Sequence, residues 1–314
     1  MTTPTHLYFI HALSPVHMGT GASTGGIDLP LARETATTWP YIPGTGLKGV
    51  LRSQDLGLSD NEVGWLFGPK WDANTDRGQG ALMFSDCRLL CLPVRSYVGG
   101  WAWVTSPMAL QAYMREARWA SNTPGQLAVP KALPAGPGDD DTFAMSSQTV
   151  LSVNDQVFLH DIKLRASSAT PAQPPQSNLT HEWGAHLAER IFGDDPQAEN
   201  SFKERLLLVS DPVLAYLAKV GMDVRTRNRL GARKAVTKSG PWVEESLPVE
   251  TLLWGSVCAD PIQRPWQEPK SAADAVDRFV GSVGPKRRLQ VGGKATVGRG
   301  VVHLSSSARE VPRG

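Results

Sequence analysis

The run HLYFIHAL (6–13) is rich in large apolar residues and alternates only imperfectly with polar ones, which predicts a first strand. A glycine-rich stretch follows it. In YIPGTGLKGVLRSQ, Pro43 and Gly44 stop an extended segment, Thr45 can cap a short helix running to about Gln54, and Leu47, Val50 and Leu51 give that helix an apolar stripe. Ser59 and Glu62 have capping-box spacing for a second short helix ending near Gly68. Residues 80–94 read as a strand region. Ser106 and Pro107 start a helix with Leu110, Tyr113, Met114 and Ala117 on one side.

Further along, 121–142 and 166–178 are rich in Pro, Ala and small polar residues and read as loops, while 149–164 holds one or two strands. Residues 181–193 read as helix and KERLLLVS (203–210) as strand. Asp211 and Pro212 open another helix. The segment 224–243 has two β-compatible arms, as a hairpin would. LPVETLLWGSVCAD reads as strand, SAADAVDRFVGSV as amphipathic helix, and RRLQVGG and GVVHLSS as closing strands around a second glycine-rich loop. Strands and helices thus interleave with hairpin-like returns, which predicts an α+β sheet of ferredoxin-like type carrying large loop insertions.

Composition narrows the function class. The 314 residues are 41% hydrophobic and 20% charged, ordinary values for a globular chain, so disordered, collagen-like and coiled-coil architectures are excluded. No run approaches the roughly 18 uninterrupted apolar residues of a membrane span, and the start lacks a signal-peptide pattern, so a cytoplasmic location without membrane partners is expected. Cys87, Cys91 and Cys258 form neither a C-x-x-C pair nor an even disulfide framework, and read as core residues of a reducing compartment.

The formal net charge is only +2, but the cations are clustered. Arg225, Arg227, Arg229, Arg233, Lys234 and Lys238 stand against Asp223 alone in 222–240, and Lys286, Arg287, Arg288, Lys294 and Arg299 are unopposed in 286–300. Such segments in a balanced chain point to specific anionic contacts. Two other motifs fail. His181 and His186 are five apart, diverging by roughly 140° around a helix, so they cannot share a metal. GGKAT (292–296) lacks the Gly and Ser/Thr of a nucleotide-binding phosphate loop.

A polyanion such as RNA fits what remains. Lys48 and Arg52 are four apart, so both can face one stretch of phosphate backbone, and the amides at the start of their helix can meet an anion. Gly292 and Gly293 with Lys294 and Arg299 combine backbone that approaches closely with positive charge.

The stretches SPVHMGTG…GGIDLPLARE, PYIPGTGLKGVLRS, WVEESLPVETLLW and LQVGGKATVGRG, in that order, resemble the RAMP superfamily of CRISPR proteins, and among them the backbone subunit of type III-B RNA-targeting complexes. The resemblance implies one domain over 1–314, with a ferredoxin-like (RRM-like) discontinuous core. It implies a thumb insertion at about 222–243 and further loop insertions at about 121–142 and 166–200. It also implies copies of the chain stacked along a CRISPR guide RNA with other effector subunits, each cutting the bound target RNA once beside its thumb with a divalent metal, Mg²⁺ or Mn²⁺. The alternative is a scaffold that binds guide RNA without cutting. By the same resemblance the catalytic aspartate falls on Asp28, a family histidine on His17, and an acidic residue on Glu244 or Glu245, with Glu244 taken here. Gly19, Gly21, Arg225 and Arg227 join the RNA-binding set. Ser246 stands where the family often has an aromatic hydroxyl.

The chemistry of Asp28 follows from its acidity. A carboxylate with the ordinary pKa of about 3.9 is a poor proton acceptor at neutral pH. Hydrated Mg²⁺, by contrast, takes one or two carboxylates and keeps several waters. Asp28 is therefore expected as a metal or metal-water ligand first and a general base second.

Overall fold

The computed structural model describes residues 4–23, 25–69, 78–120, 129–166, 174–232, 234, 236, 240–260 and 271–306. The chain begins with β1 (Thr5–Ala12), buried along nearly its whole length. Leu7 and Phe9 enter one hydrophobic cluster while Tyr8, Ile10 and Ala12 enter another. Both faces of this strand are covered, which is why its sequence alternates so weakly.

β2 (Tyr41–Ile42) leads into α1 (Gly44–Ser53), which starts one residue before Thr45 and has no side-chain cap from its own chain neighbours. Instead the Gly44 N–H donates to Asp86 Oδ1 at 2.8 Å. An in-chain carboxylate therefore takes the amide that the sequence offered to an outside anion. α2 (Asp60–Phe67) has the expected Ser59/Glu62 capping box. The 80–94 region divides into β3 (Leu82–Phe84) and β4 (Cys87–Arg95). Then come β5 (Trp101–Thr105), α3 (Pro107–Ala120), β6 (Asp141–Ala144), β7 (Gln156–Leu159) and β8 (Ile162–Ala166).

The segment expected as a loop insertion at 166–200 is largely helical. α4 (Pro174–Phe192) starts seven residues ahead of the expected 181, and α5 (Pro196–Arg205) absorbs the KER expected in a strand, leaving β9 (Leu206–Leu208). Asp195 caps α5 by accepting from the Gln197 and Ala198 amides, with Pro196 in the first turn. α6 (Asp211–Val220), β10 (Asp223–Arg227), β11 (Trp242–Ser246), β12 (Leu252–Ala259), α7 (Ala272–Val283), β13 (Lys286–Gln290) and β14 (Val301–Ser306) complete the order.

Twelve of these strands form one mixed sheet in the order β13-β14-β1-β12-β4-β5-β9-β6-β8-β7, with β2 beside β4 and β3 beside β12. At its centre β14, β1, β12 and β4 are all antiparallel neighbours, with Phe9 opposite Trp254 and Ile10 opposite Leu304. Helices α1, α2, α6 and α7 bury Leu47, Leu66, Leu214 and Phe279 with Ile10 and Leu253 on one face. α3, α4 and α5 bury Tyr113, Trp183 and Phe202 with Phe9 and Trp254 on the other. Each such side chain is worth about 1.5–3 kcal/mol when buried, so neither central face lies open. β10 and β11 stand apart as a two-stranded hairpin with Arg225 opposite Glu244. Arg233 and Lys238 of the basic segment, and 121–128 of the first expected insertion, lie outside the described residues.

Candidate functional site

β11 reads WVEES, and its alternation sends Trp242, Glu244 and Ser246 to one face and Val243 and Glu245 to the other. Val243 to Ser246 are each tied to one of the glycine-rich segments. On the first face, Glu244 Oε1 accepts from Lys294 Nζ at 2.8 Å and from Trp242 Nε1 at 2.7 Å, while Arg227 Nε lies 3.5 Å from Oε2. Ser246 Oγ accepts from Arg299 Nη1 at 2.5 Å, and the same guanidinium reaches Asp223 Oδ2 at 3.5 Å. The glycine loop after β13 is thereby pinned to the hairpin base.

On the second face, Glu245 accepts from Arg33 Nη2 at 2.5 Å and from the Leu31 N–H at 3.0 Å. The Glu245 carbonyl lies 2.6 Å from His17 Nδ1. A carbonyl only accepts, so Nδ1 carries the proton and Nε2 of the neutral ring is the acceptor. Gly19 passes so close that a Cβ there would sit 2.7 Å from His17 Nε2. Opposite, the His17 carbonyl accepts from Gly293 N–H at 3.0 Å, and Gly292, at φ +80°, would place a Cβ 2.4 Å from it. Only glycine combines that left-handed backbone with that approach.

Asp28 arrives along the free edge of β11. Leu29 N–H donates to the Val243 carbonyl and Glu245 N–H to the Leu29 carbonyl, both at 3.1 Å, so 28–31 pairs with β11 as a short strand would. The exposed Asp28 carboxylate accepts the Val243 N–H at 2.7 Å through Oδ2. Among the described residues no group of three or more His, Cys, Asp or Glu side chains converges on one point. One exposed carboxylate suits a hydrated divalent cation that keeps most of its waters; it does not suit an all-protein cage.

Burial alone would raise the Glu244 pKa, but the hydrogen bonds from Lys294 and Trp242 and the charges of Lys294 and Arg227 hold it below the usual value. Glu244 is therefore an anion at 2% exposure, walled off from solvent.

The structure thus brings Asp28, His17, Glu244, Gly19, Gly292, Gly293, Lys294, Arg227 and Arg299 around one strand. Gly21 is exposed on the same glycine-rich segment as Gly19, and Arg225 is exposed on β10, paired with Asp223 at 2.8 Å. Arg299 is 2% exposed, so its guanidinium faces protein. Lys48 and Arg52 stand elsewhere, on α1, donating to the carbonyls of Leu82 and Pro69, each at 2.6 Å. Burial, then the nearby Arg52, lowers the Lys48 pKa. Sequence reasoning missed Trp242 and Arg33. The i, i+2 spacing of Trp242 and Glu244 held the signal for the first; nothing local marks Arg33.

The profile of the RAMP superfamily matches residues 9–303, and the chain belongs to that superfamily. Within it, the CRISPR system Cmr endoribonuclease Cmr4 of Pyrococcus furiosus is 27% identical over 307 residues, spanning 96% of this chain and 95% of the relative. The structure of oligomeric Cmr4 from the same organism superposes with a TM-score of 0.68 at 24% identity, over 98% of this chain and 99% of that one. A chain of the type III-B Cmr-beta complex bound to cognate target RNA superposes with a TM-score of 0.68 at 20% identity, over 96% and 97%. At these identities the two structural likenesses establish the fold.

Proposed function

We propose that this chain is the backbone subunit of a type III-B CRISPR effector complex, binding guide RNA and cutting complementary target RNA as an endoribonuclease. The observation that carries the reading is the convergence of Asp28, His17 and Lys294 on consecutive residues of β11, at the base of a basic hairpin. The near full-length match to a relative called an endoribonuclease supports it. The order β1-α1-β4-β12-α7-β14, with β14-β1-β12-β4 as neighbours, supports a ferredoxin-like core. In RRM-type proteins RNA stacks on an open sheet face. Both faces are covered here, so the RNA instead meets the glycine loops and the hairpin, which acts as the thumb at about 222–243. Copies of the chain stack along the guide with the other effector subunits. The cytoplasmic setting this implies suits the free thiols of Cys87, Cys91 and Cys258.

RNA cleavage by internal attack needs the 2′-oxygen in line with the leaving O5′. A thumb that unstacks one target nucleotide supplies that geometry, and positioning of this kind accounts for a large part of many rate enhancements. Asp28, fixed by Val243 N–H, presents its carboxylate at the hairpin base. His17, its Nδ1 proton spent on the Glu245 carbonyl, offers Nε2 as a hydrogen-bond acceptor. When bound beside Asp28, Mg²⁺ or Mn²⁺ would supply Lewis-acid stabilisation of phosphate charge. Gly19, Gly21, Gly292, Gly293, Arg225, Arg227 and Arg299 form or brace the backbone-binding surface; Lys48 and Arg52, spent on the carbonyls of Leu82 and Pro69, are a separate basic pair on α1.

The test is an effector complex assembled from this chain, its partner subunits and a guide RNA, incubated with Mg²⁺ and labelled targets. Complementary target is expected to be cut at regular intervals and a scrambled target left whole. Tight binding of complementary target without any cutting would establish the scaffold alternative.

A further inference from the structure

Cutting by 2′-oxygen attack forms a P–O2′ bond as the P–O5′ bond breaks. The hydroxyl proton goes to a base and a proton reaches O5′, giving a 2′,3′-cyclic phosphate and a 5′-hydroxyl. Charge concentrates on the non-bridging phosphate oxygens along the way, and a pre-positioned cation there stabilises it strongly. Glu244 is 2% exposed and is held by the protein's own donors. What it does is hold cations. One of its oxygens takes Lys294 and Trp242; the other, Oε2, is buried without a hydrogen bond, with Arg227 standing off at 3.5 Å.

Lys294 is built to be held in this way. Its backbone is left-handed, at φ +68°, a conformation that costs a non-glycine residue energy and recurs at functional sites. The ammonium has three donors and Glu244 uses one, while the side chain keeps 32% exposure and its Nζ lies 5.9 Å from the Trp242 ring centroid. Lys294 directly follows Gly293, which bonds the His17 carbonyl, and Glu244 directly follows Val243, which bonds Asp28. The three groups therefore share one rigid support.

We infer that Lys294 is the cation that meets the scissile phosphate, and that Glu244 is a positioning residue that aims it. The inference rests on the endoribonuclease reading above. Single-turnover cleavage and target binding are measured in the assembled complex for wild type, Lys294→Ala, Lys294→Arg and the double variant Glu244→Gln/Lys294→Gln, which leaves no buried charge unpaired and so protects folding. Loss of one fixed donor at such a charge costs roughly 10²–10³-fold in rate. Both Lys294→Ala and the double variant are expected to lose that much, with target affinity within about threefold; Lys294→Arg is expected to recover at least a tenth of the wild-type rate. Cleavage by the double variant within threefold of wild type would overturn the inference, as would equal losses in binding and cleavage. A wild-type complex that does not cut would overturn the endoribonuclease reading itself, and this inference with it.

Discussion

His6 and His186 show how far single side chains here depend on their burial. Burial, helped by the Arg190 charge, lowers both pKa values to about 4, so both rings are neutral at pH 7, with His186 Nε2 3.0 Å from the Tyr113 hydroxyl. In the unfolded chain each ring takes a proton near pH 6.5. Between pH 6.5 and 4 the unfolded state thus binds more protons, and stability falls as pH falls. At pH 5 each histidine is expected to have removed about 2 kcal/mol relative to pH 8. Urea midpoints at the two pH values measure this, and His186→Gln should shrink the difference; an unchanged difference would mean that other groups drive it. Gly292 makes a matching case in the backbone. Gly292→Ala forces a side chain onto φ +80° and against the His17 carbonyl, and should cost about 1–3 kcal/mol, read as a lowered denaturation midpoint.

Helices and strands were legible where local chemistry marked their ends. Ser59 with Glu62 forms the capping box that the sequence suggested for α2, and Ser271 with Asp274 forms a second one at the start of α7, expected from its sequence only as an amphipathic helix. α5 was missed although Asp195 and Pro196 carry a start signal, because the apolar LLL that follows drew the preceding KER into a strand. Asp195→Ala should therefore cost about 1 kcal/mol, measurable by chemical denaturation, since two amides lose their acceptor. The start of α1 was misjudged for a different reason. Its acceptor, Asp86, lies 42 residues away, and no local pattern reports a partner at that distance. The candidate site divides in the same way. Glycine-rich segments and charge clusters were visible in sequence; their convergence on β11 was not, because His17 and Glu245 are 228 residues apart.

Across the molecule, both central faces of the sheet are covered, so the proposed RNA surface falls to the hairpin and glycine loops. Arg225, exposed at 55% of its side chain on β10, is one cation that the proposed surface would present to phosphate. Arg225→Ala should weaken RNA binding to a similar degree for every guide sequence and reduce the salt slope by about 1. Sequence-selective weakening would mean that it reads bases. On the proposed function, the carboxylate that β11 holds at Asp28 is what makes the assembly cut. The most direct measurement compares complexes containing wild-type chain and Asp28→Ala on the same guide and complementary target with Mg²⁺. Equal assembly, target affinity within about threefold, and cleavage reduced by at least roughly 10³-fold are expected, on the order of positioning and charge stabilisation combined. Undiminished cleavage by the Asp28→Ala complex would contradict that proposal.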